Sequence, residues 1–133
     1  MWTAALYRSL GNDLPPRHRS GQTLANLRFI LQNEPSFPGC EKRWILNRIF
    51  DAKAEARLIA VLEEAGQSYQ RIPFCPDAYR VQATSPRLPA DYPLAGELRD
   101  ERAILRHNQV VYAINVNGAR NVALREGRGI ADW

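Results

Sequence analysis

Three short polar segments carry residue types that could handle a ligand. They are Asn12-Asp13 with Arg17, then Asp51, then Asn117-Gly118-Ala119-Arg120-Asn121. In the last, Gly118 would let the backbone approach a ligand or take a left-handed conformation. The first N–H groups of a following helix are unpaired and carry the positive end of its dipole, so a phosphate fits there. Arg120 would add a charge-assisted donor. The same residues also have a plainer use, with Asn117 as an N-cap and Arg120 as a solvated side chain. Asp51 is ambiguous in the same way: its carboxylate could accept from a nucleobase or ribose, and as an N-cap it would look no different. Asn12, Asp13 and Arg17 sit in a loop stiffened by Pro15 and Pro16. Three polar types together there favour a ligand role over an ordinary turn. His18, between Arg17 and Arg19, is read as an exposed loop histidine. No Ser-His-Asp spacing, GxGxxG or GxxxxGK[ST] occurs, so those catalytic and nucleotide fingerprints are missing.

These segments need elements to hold them. Ala4 to Leu10 reads as a first strand, followed by the Pro-containing turn. A helix from an N-cap at Ser20 to Glu34 would bury Leu24, Leu27 and Leu31, and Pro35 disfavours its continuation. Arg43 to Phe50 reads as a second strand. Asp51 then caps a helix over Ala52 to Ala65, with Ala54, Leu58, Val61, Leu62 and Ala65 on one face and Gly66 as its stop. Tyr69 to Phe74 is a third, short strand that Pro73 places at an edge or an end. Strands alternating with amphipathic helices predict an α/β fold with a parallel, helix-covered sheet. In such sheets ligands bind beyond the carboxyl ends of the strands, where all three polar segments fall.

The remainder breaks the pattern. Pro76, Pro86, Pro89 and Pro93 make residues 75–96 a Pro-rich loop excursion. Glu97 to Arg106 reads as a helical turn or two, Val110 to Val116 as a fourth strand, and Gly118 to Arg128 as a further helix. A new strand is expected to begin at Ile130.

Composition bounds the rest. The 133 residues suit one domain, and 45% hydrophobic with 24% charged residues is globular rather than disordered. No apolar run nears the roughly 18 residues that span a bilayer, and the N-terminus does not read as a secretory signal. Cys40 and Cys75 match no zinc spacing or disulfide framework, so reduced thiols and a cytoplasmic location are expected. The net charge of +4 invites a nucleic-acid reading, and sixteen of the 18 basic residues are Arg. Basic and acidic residues are interspersed, however, with no Lys/Arg block, which argues against nucleic acid.

One resemblance adds to this. The run Asn115-Val116-Asn117-Gly118-Ala119-Arg120-Asn121-Val122-Ala123-Leu124-Arg125-Glu126-Gly127, with Ala131-Asp132-Trp133, resembles the N-x-G-x-x-x-A-R-N-x-G/A-L segment of GT-A fold glycosyltransferases. The spacing ahead of Ala119-Arg120-Asn121 is compressed. The stretch Gly11 to His18, with Asn33-Glu34-Pro35 and Trp44 to Ile49, also looks like the N-terminal region of glycosyltransferase-like proteins. The resemblance implies a three-layer, Rossmann-like GT-A-type partial sheet, mostly parallel with flanking helices, spanning 1–133 as one nucleotide-sugar-binding-like unit. It implies that Asn12 and Asp13 lie near the nucleoside, that Asp51 contacts the base, and that Gly118, Arg120 and Asn121 line the donor pocket. The acidic metal-binding motif would follow Trp133. The chain is thus expected to be an N-terminal part, inactive alone, of an enzyme using a nucleotide-sugar donor and a divalent metal (Mn or Mg). An incomplete sheet would leave an edge open to self-association. The second-strand end reads Asn47-Arg48-Ile49-Phe50-Asp51 rather than a paired Asp-Asp. The alternatives are a non-enzymatic basic binding module, for nucleic acid or a protein partner, and another nucleotide-binding α/β domain such as a nucleotidyltransferase.

Overall fold

The structure is a computed structural model that describes residues 3–84 and 101–132. The strands β1 (Ala4–Leu10), β2 (Cys40–Asn47) and β3 (Ser68–Ile72) form one sheet in the order β1-β2-β3. Both pairings are parallel, with Arg8 opposite Trp44 and Trp44 opposite Tyr69. The helices α1 (Gln22–Asn33) and α2 (Ala52–Glu64) are the crossovers. Two right-handed crossovers stepping the same way along a sheet lie on the same face. Accordingly, α1 and α2 touch each other and share one core with Leu10, Trp44 and Leu46. Leu27, Leu46 and Leu62 are fully buried there, and each such side chain stabilises the fold by roughly 2 kcal/mol.

The opposite face carries Tyr7, Ser9, Ile45 and Asn47, the alternate residues of β1 and β2. Helix α5 (Val116–Gly127) packs over it through Ala119 and Ala123. At its far end the Arg43 guanidinium bridges Glu126 and Glu41. The chain then returns to the start of β1, where Asp132 N–H donates to Thr3 O at 3.0 Å and Thr3 N–H donates to Asp132 Oδ2 at 2.8 Å. The fold is α/β with a small three-strand parallel sheet, helices α1 and α2 on one side and α5 on the other.

The first half follows the sequence closely, with three shifts, the smallest being β3, which runs one residue earlier than expected at its start and ends at Ile72, ahead of Pro73. β2 starts and ends three residues earlier than the apolar run suggests. Arg48 has φ 49°, a left-handed conformation that breaks the strand, and Ile49 turns into the α1/α2 core. Helix α1 is not capped by Ser20: Gly21 stands at its N-cap with φ 80° and makes no side-chain cap bond. Asp13 supplies the cap instead, from eight residues away.

The second half needs larger corrections. Within the expected loop, Pro76–Val81 forms a short helix, α3, with proline at its first turn. Residues 85–96 of that loop lie outside the described residues. Val110 to Val116 is not a strand, because helix α4 runs from Glu101 to Ile114. A seven-residue apolar run fits a buried strand or a helix equally well. No Gly or Pro separates it from the helical stretch before it, so the helix propagates. Val110 and Val111 face solvent while Ala113 is buried, a one-sided pattern of helical period. Asn115, at φ 42°, ends α4 and starts α5; asparagine is one of the few non-glycine residues that tolerate this conformation. Ile130 lies in a turn rather than a strand.

Candidate functional site at the carboxyl ends of the strands

The loops after β1 and β2 meet beyond the carboxyl edge of the sheet and enclose a cavity of about 270 Å3. Asn12 ties them together. Its Nδ2 donates to Arg48 O at 2.7 Å, and its Oδ1 accepts from Phe50 N–H at 2.9 Å. One side chain thus fixes the separation of the two walls. Leu24, Ile49, Ala54 and Leu58 make the floor apolar, while Asn12, Asp13, Asp51 and Arg57 bring polar groups to it. An apolar cavity with a few placed polar groups is the usual form of a small-molecule site.

Asp13 accepts from Gly21 N–H at 2.7 Å, Thr23 N–H at 2.9 Å and the Thr23 hydroxyl at 2.7 Å. Burial acts to raise its pKa, but the Thr23 and Gly21 bonds outweigh it, with help from nearby His18, and hold the carboxyl below its ordinary value. A carboxylate with a depressed folded pKa contributes stability that is complete above its unfolded value, about 3.9, and is lost as pH falls through the folded value. Asp13→Asn keeps a capping side chain but has no proton to gain. The variant is therefore expected to show a flatter fall in urea midpoint between about pH 5 and pH 3 than the parent chain. An unchanged acid limb would remove Asp13 from the account.

Asp51 caps α2, its Oδ1 accepting from Lys53 N–H at 2.9 Å and Ala54 N–H at 3.1 Å. Both bonds use one oxygen, which leaves Oδ2 with acceptor capacity at the cavity. Arg17 is exposed in the turn after Pro15-Pro16 and is not among the cavity residues. Arg57 was not singled out from sequence, yet its exposed guanidinium belongs to the cavity lining and has no ion-pair partner among the described residues. Its position between Ala54 and Leu58, at the flank of the α2 apolar stripe, was the available signal.

Of the remaining residues expected near a donor, Asn117 and Gly118 lie in the first turn of α5, with Arg120 and Asn121 following. Asn117, Arg120 and Asn121 are exposed. This helix starts at the same end of the sheet but on the other face. Arg120 lines a separate 180 Å3 cavity with Tyr7, Ile45 and Asn47. The structure therefore brings Asn12, Asp13 and Asp51 together and keeps the α5 residues apart from them.

Gly118 has a local reason to be glycine. It is helical, not left-handed, and a Cβ there would sit 2.2 Å from Asn115 Oδ1 and 2.5 Å from Asn115 Nδ2. That amide cannot easily withdraw, because Asn115 Nδ2 donates to Asn47 Oδ1 at 2.9 Å. Gly118→Ala is expected to destabilise by about 1–2 kcal/mol although alanine is the better helix former. Gly129→Ala, whose Cβ would meet Glu126 O at an ordinary 3.6 Å, should be close to neutral in the same denaturation series.

The resemblance places the acidic motif for a divalent metal after Trp133, and the described residues do not supply one of their own. Among the described residues no group of three or more His, Cys, Asp or Glu side chains converges. Asp13 and Asp51, the nearest carboxylates, are engaged with backbone N–H groups at helix starts. No step is derived through a metal.

Among the described residues no helix is long and apolar enough to cross a membrane. Comparison with protein-family models, with curated proteins and with solved structures finds no match to this chain.

Proposed function

We propose that the cavity at the carboxyl ends of β1 and β2 binds the nucleoside part of a nucleotide-sugar donor, and that the chain serves as the donor-binding part of a glycosyltransferase of GT-A type. The observation that carries this reading is the Asn12 bridge, which holds the two strand-end loops apart around a cavity with an apolar floor and a polar rim. Asp51 Oδ2 is the acceptor for a base N–H or ribose hydroxyl, and Arg57 is the cation for the first phosphate. Asp13 positions the loop by capping α1 rather than touching the ligand. Arg17 and the α5 residues Asn117, Gly118, Arg120 and Asn121 do not line this cavity and take no part in holding the nucleoside.

A cavity of 270 Å3 lies just below the common range for small-molecule sites and takes one ring system with its sugar, not a whole nucleotide sugar. Affinity should accordingly be weak, with Kd on the order of 0.1–1 mM. Calorimetry with uridine, guanosine and adenosine diphosphates tests this, and one of them should bind in that range. Arg57→Glu should weaken that binding at least tenfold, the effect of about 1.4 kcal/mol of lost charge pairing. Sub-micromolar binding that requires added Mn or Mg would contradict the reading. Salt-sensitive binding of single-stranded RNA, with no diphosphate bound, would move the chain to the class of basic binding modules.

A further inference from the structure

A second cavity, of about 420 Å3, lies on the other side of Phe50 from the nucleoside cleft. Aromatic rings build its surroundings. The Phe74 ring centroid is 6.1 Å from Phe50, 5.3 Å from Tyr79 and 5.8 Å from Tyr112, with interplanar angles of 65°, 49° and 74°. None of these pairs is stacked face to face; each ring offers an edge or a tilted face to its neighbours. The framework is pinned. Tyr112 OH accepts from Cys75 N–H at 3.2 Å and donates to Cys75 O at 3.3 Å. The Arg48 guanidinium lies 4.0 Å from the Tyr112 ring centroid and donates to Tyr112 O at 2.8 Å.

Two of the lining residues, Phe50 and Val110, are 54% and 47% exposed. Large apolar side chains left in solvent around a cavity mark a binding surface rather than a core, and this volume falls within the small-molecule range. The polar members of the lining indicate the chemistry. Gln109 and Arg80 both present N–H donors, and among the described residues no carboxylate lines the cavity. Arg80 keeps donors to spare, since one nitrogen, Nη1, bonds to exposed Asp77 at 3.0 Å.

We propose that this aromatic cavity binds a flat unsaturated ring carrying an oxygen acceptor, presented by a second molecule that meets the donor across Phe50. Its role as a second site rests on the nucleotide reading above; ring binding itself stands on the cavity alone. Edge-to-face contacts with Phe74 and Tyr79 reward a planar ring over a puckered one of equal size, and the two donors reward a carboxylate or carbonyl at its rim.

The test is a titration of the chain with 4-hydroxybenzoate and with cyclohexanecarboxylate, followed by the methyl resonances of Leu14, Val110 and Ala113. 4-Hydroxybenzoate should move these methyls and bind about tenfold more tightly than the saturated acid. Gln109→Leu and Arg80→Ala should each weaken it by about fivefold, and Val110→Trp, which fills the mouth from an exposed position, should abolish it. Arg57→Glu should leave it unchanged, which separates this site from the nucleoside cleft. Equal binding of the two acids, or binding indifferent to Val110→Trp, would overturn the proposal. Competition by uridine diphosphate that shifts the same methyls would also overturn it, because the ring would then be the donor's own base.

Discussion

Replacing Leu46 with alanine is expected to lower the free energy of unfolding by about 3–4 kcal/mol. Leu46 is fully buried on the central strand, paired with Leu10 on one side and Arg71 on the other. It belongs to the core cluster that α1 and α2 close over, with Leu27, Leu58 and Leu62. Truncation removes most of a side chain's transfer energy and leaves a void that a parallel strand, bonded along both edges, cannot collapse into. Urea denaturation should report this as a lower midpoint with an unchanged slope. Leu124→Ala is the control, since that side chain on α5 is 53% exposed and should change stability by no more than about 0.5 kcal/mol.

Asn47→Ala is expected to cost about 2–3 kcal/mol, for a different reason. Asn47 is the buried polar residue of the described core, 3% exposed at the end of β2. Its Nδ2 donates to Ile114 O at 2.8 Å, and its Oδ1 accepts from Asn115 Nδ2 at 2.9 Å. These bonds hold the α4–α5 corner to the sheet. Alanine would leave the Ile114 carbonyl and the Asn115 amide half-buried without partners, and the desolvation of an unpaired group costs more than the bond itself contributed. Asn115→Ala made on top of Asn47→Ala should therefore cost much less than on its own, which a double-mutant cycle measures directly. Amide exchange should quicken across α4 and α5 while α1 and α2 remain protected. Uniform quickening would instead mean that the corner is part of the main cooperative unit.

What could be read from the chain beforehand follows from how local each signal was. The β1 span, the Asp51 cap and the Leu24-Leu27-Leu31 stripe are fixed by residues within one or two turns of each other, and all three are found. The parallel order followed from alternation of strand and amphipathic helix. Asp13 was visible as a site residue, but not as the cap of α1, because its partners stand eight and ten residues further on across the proline turn. Val110 to Val116 failed because β-branched and aromatic residues suggest a strand, whereas the helix before the run had no breaker to stop it. The missing Cβ of Gly118 has a use that no local spacing shows, because the space a Cβ would take is occupied by the Asn115 side chain. Arg57 and the aromatic cavity were hidden for a shared reason. Their members come from separate elements, as with Leu14, Phe50, Phe74 and Val110, and no spacing in the chain brings such residues together.

We propose that a nucleotide sits in the Asn12-bridged cleft. Backbone amide shifts during titration with nucleoside diphosphates test it most directly. One diphosphate is expected to move the amides of residues 11–13 and 50–57 together and to leave residues 116–127 of α5 largely still, with the response lost in Arg57→Glu. Shifts concentrated on α5, or none at millimolar diphosphate, would contradict it.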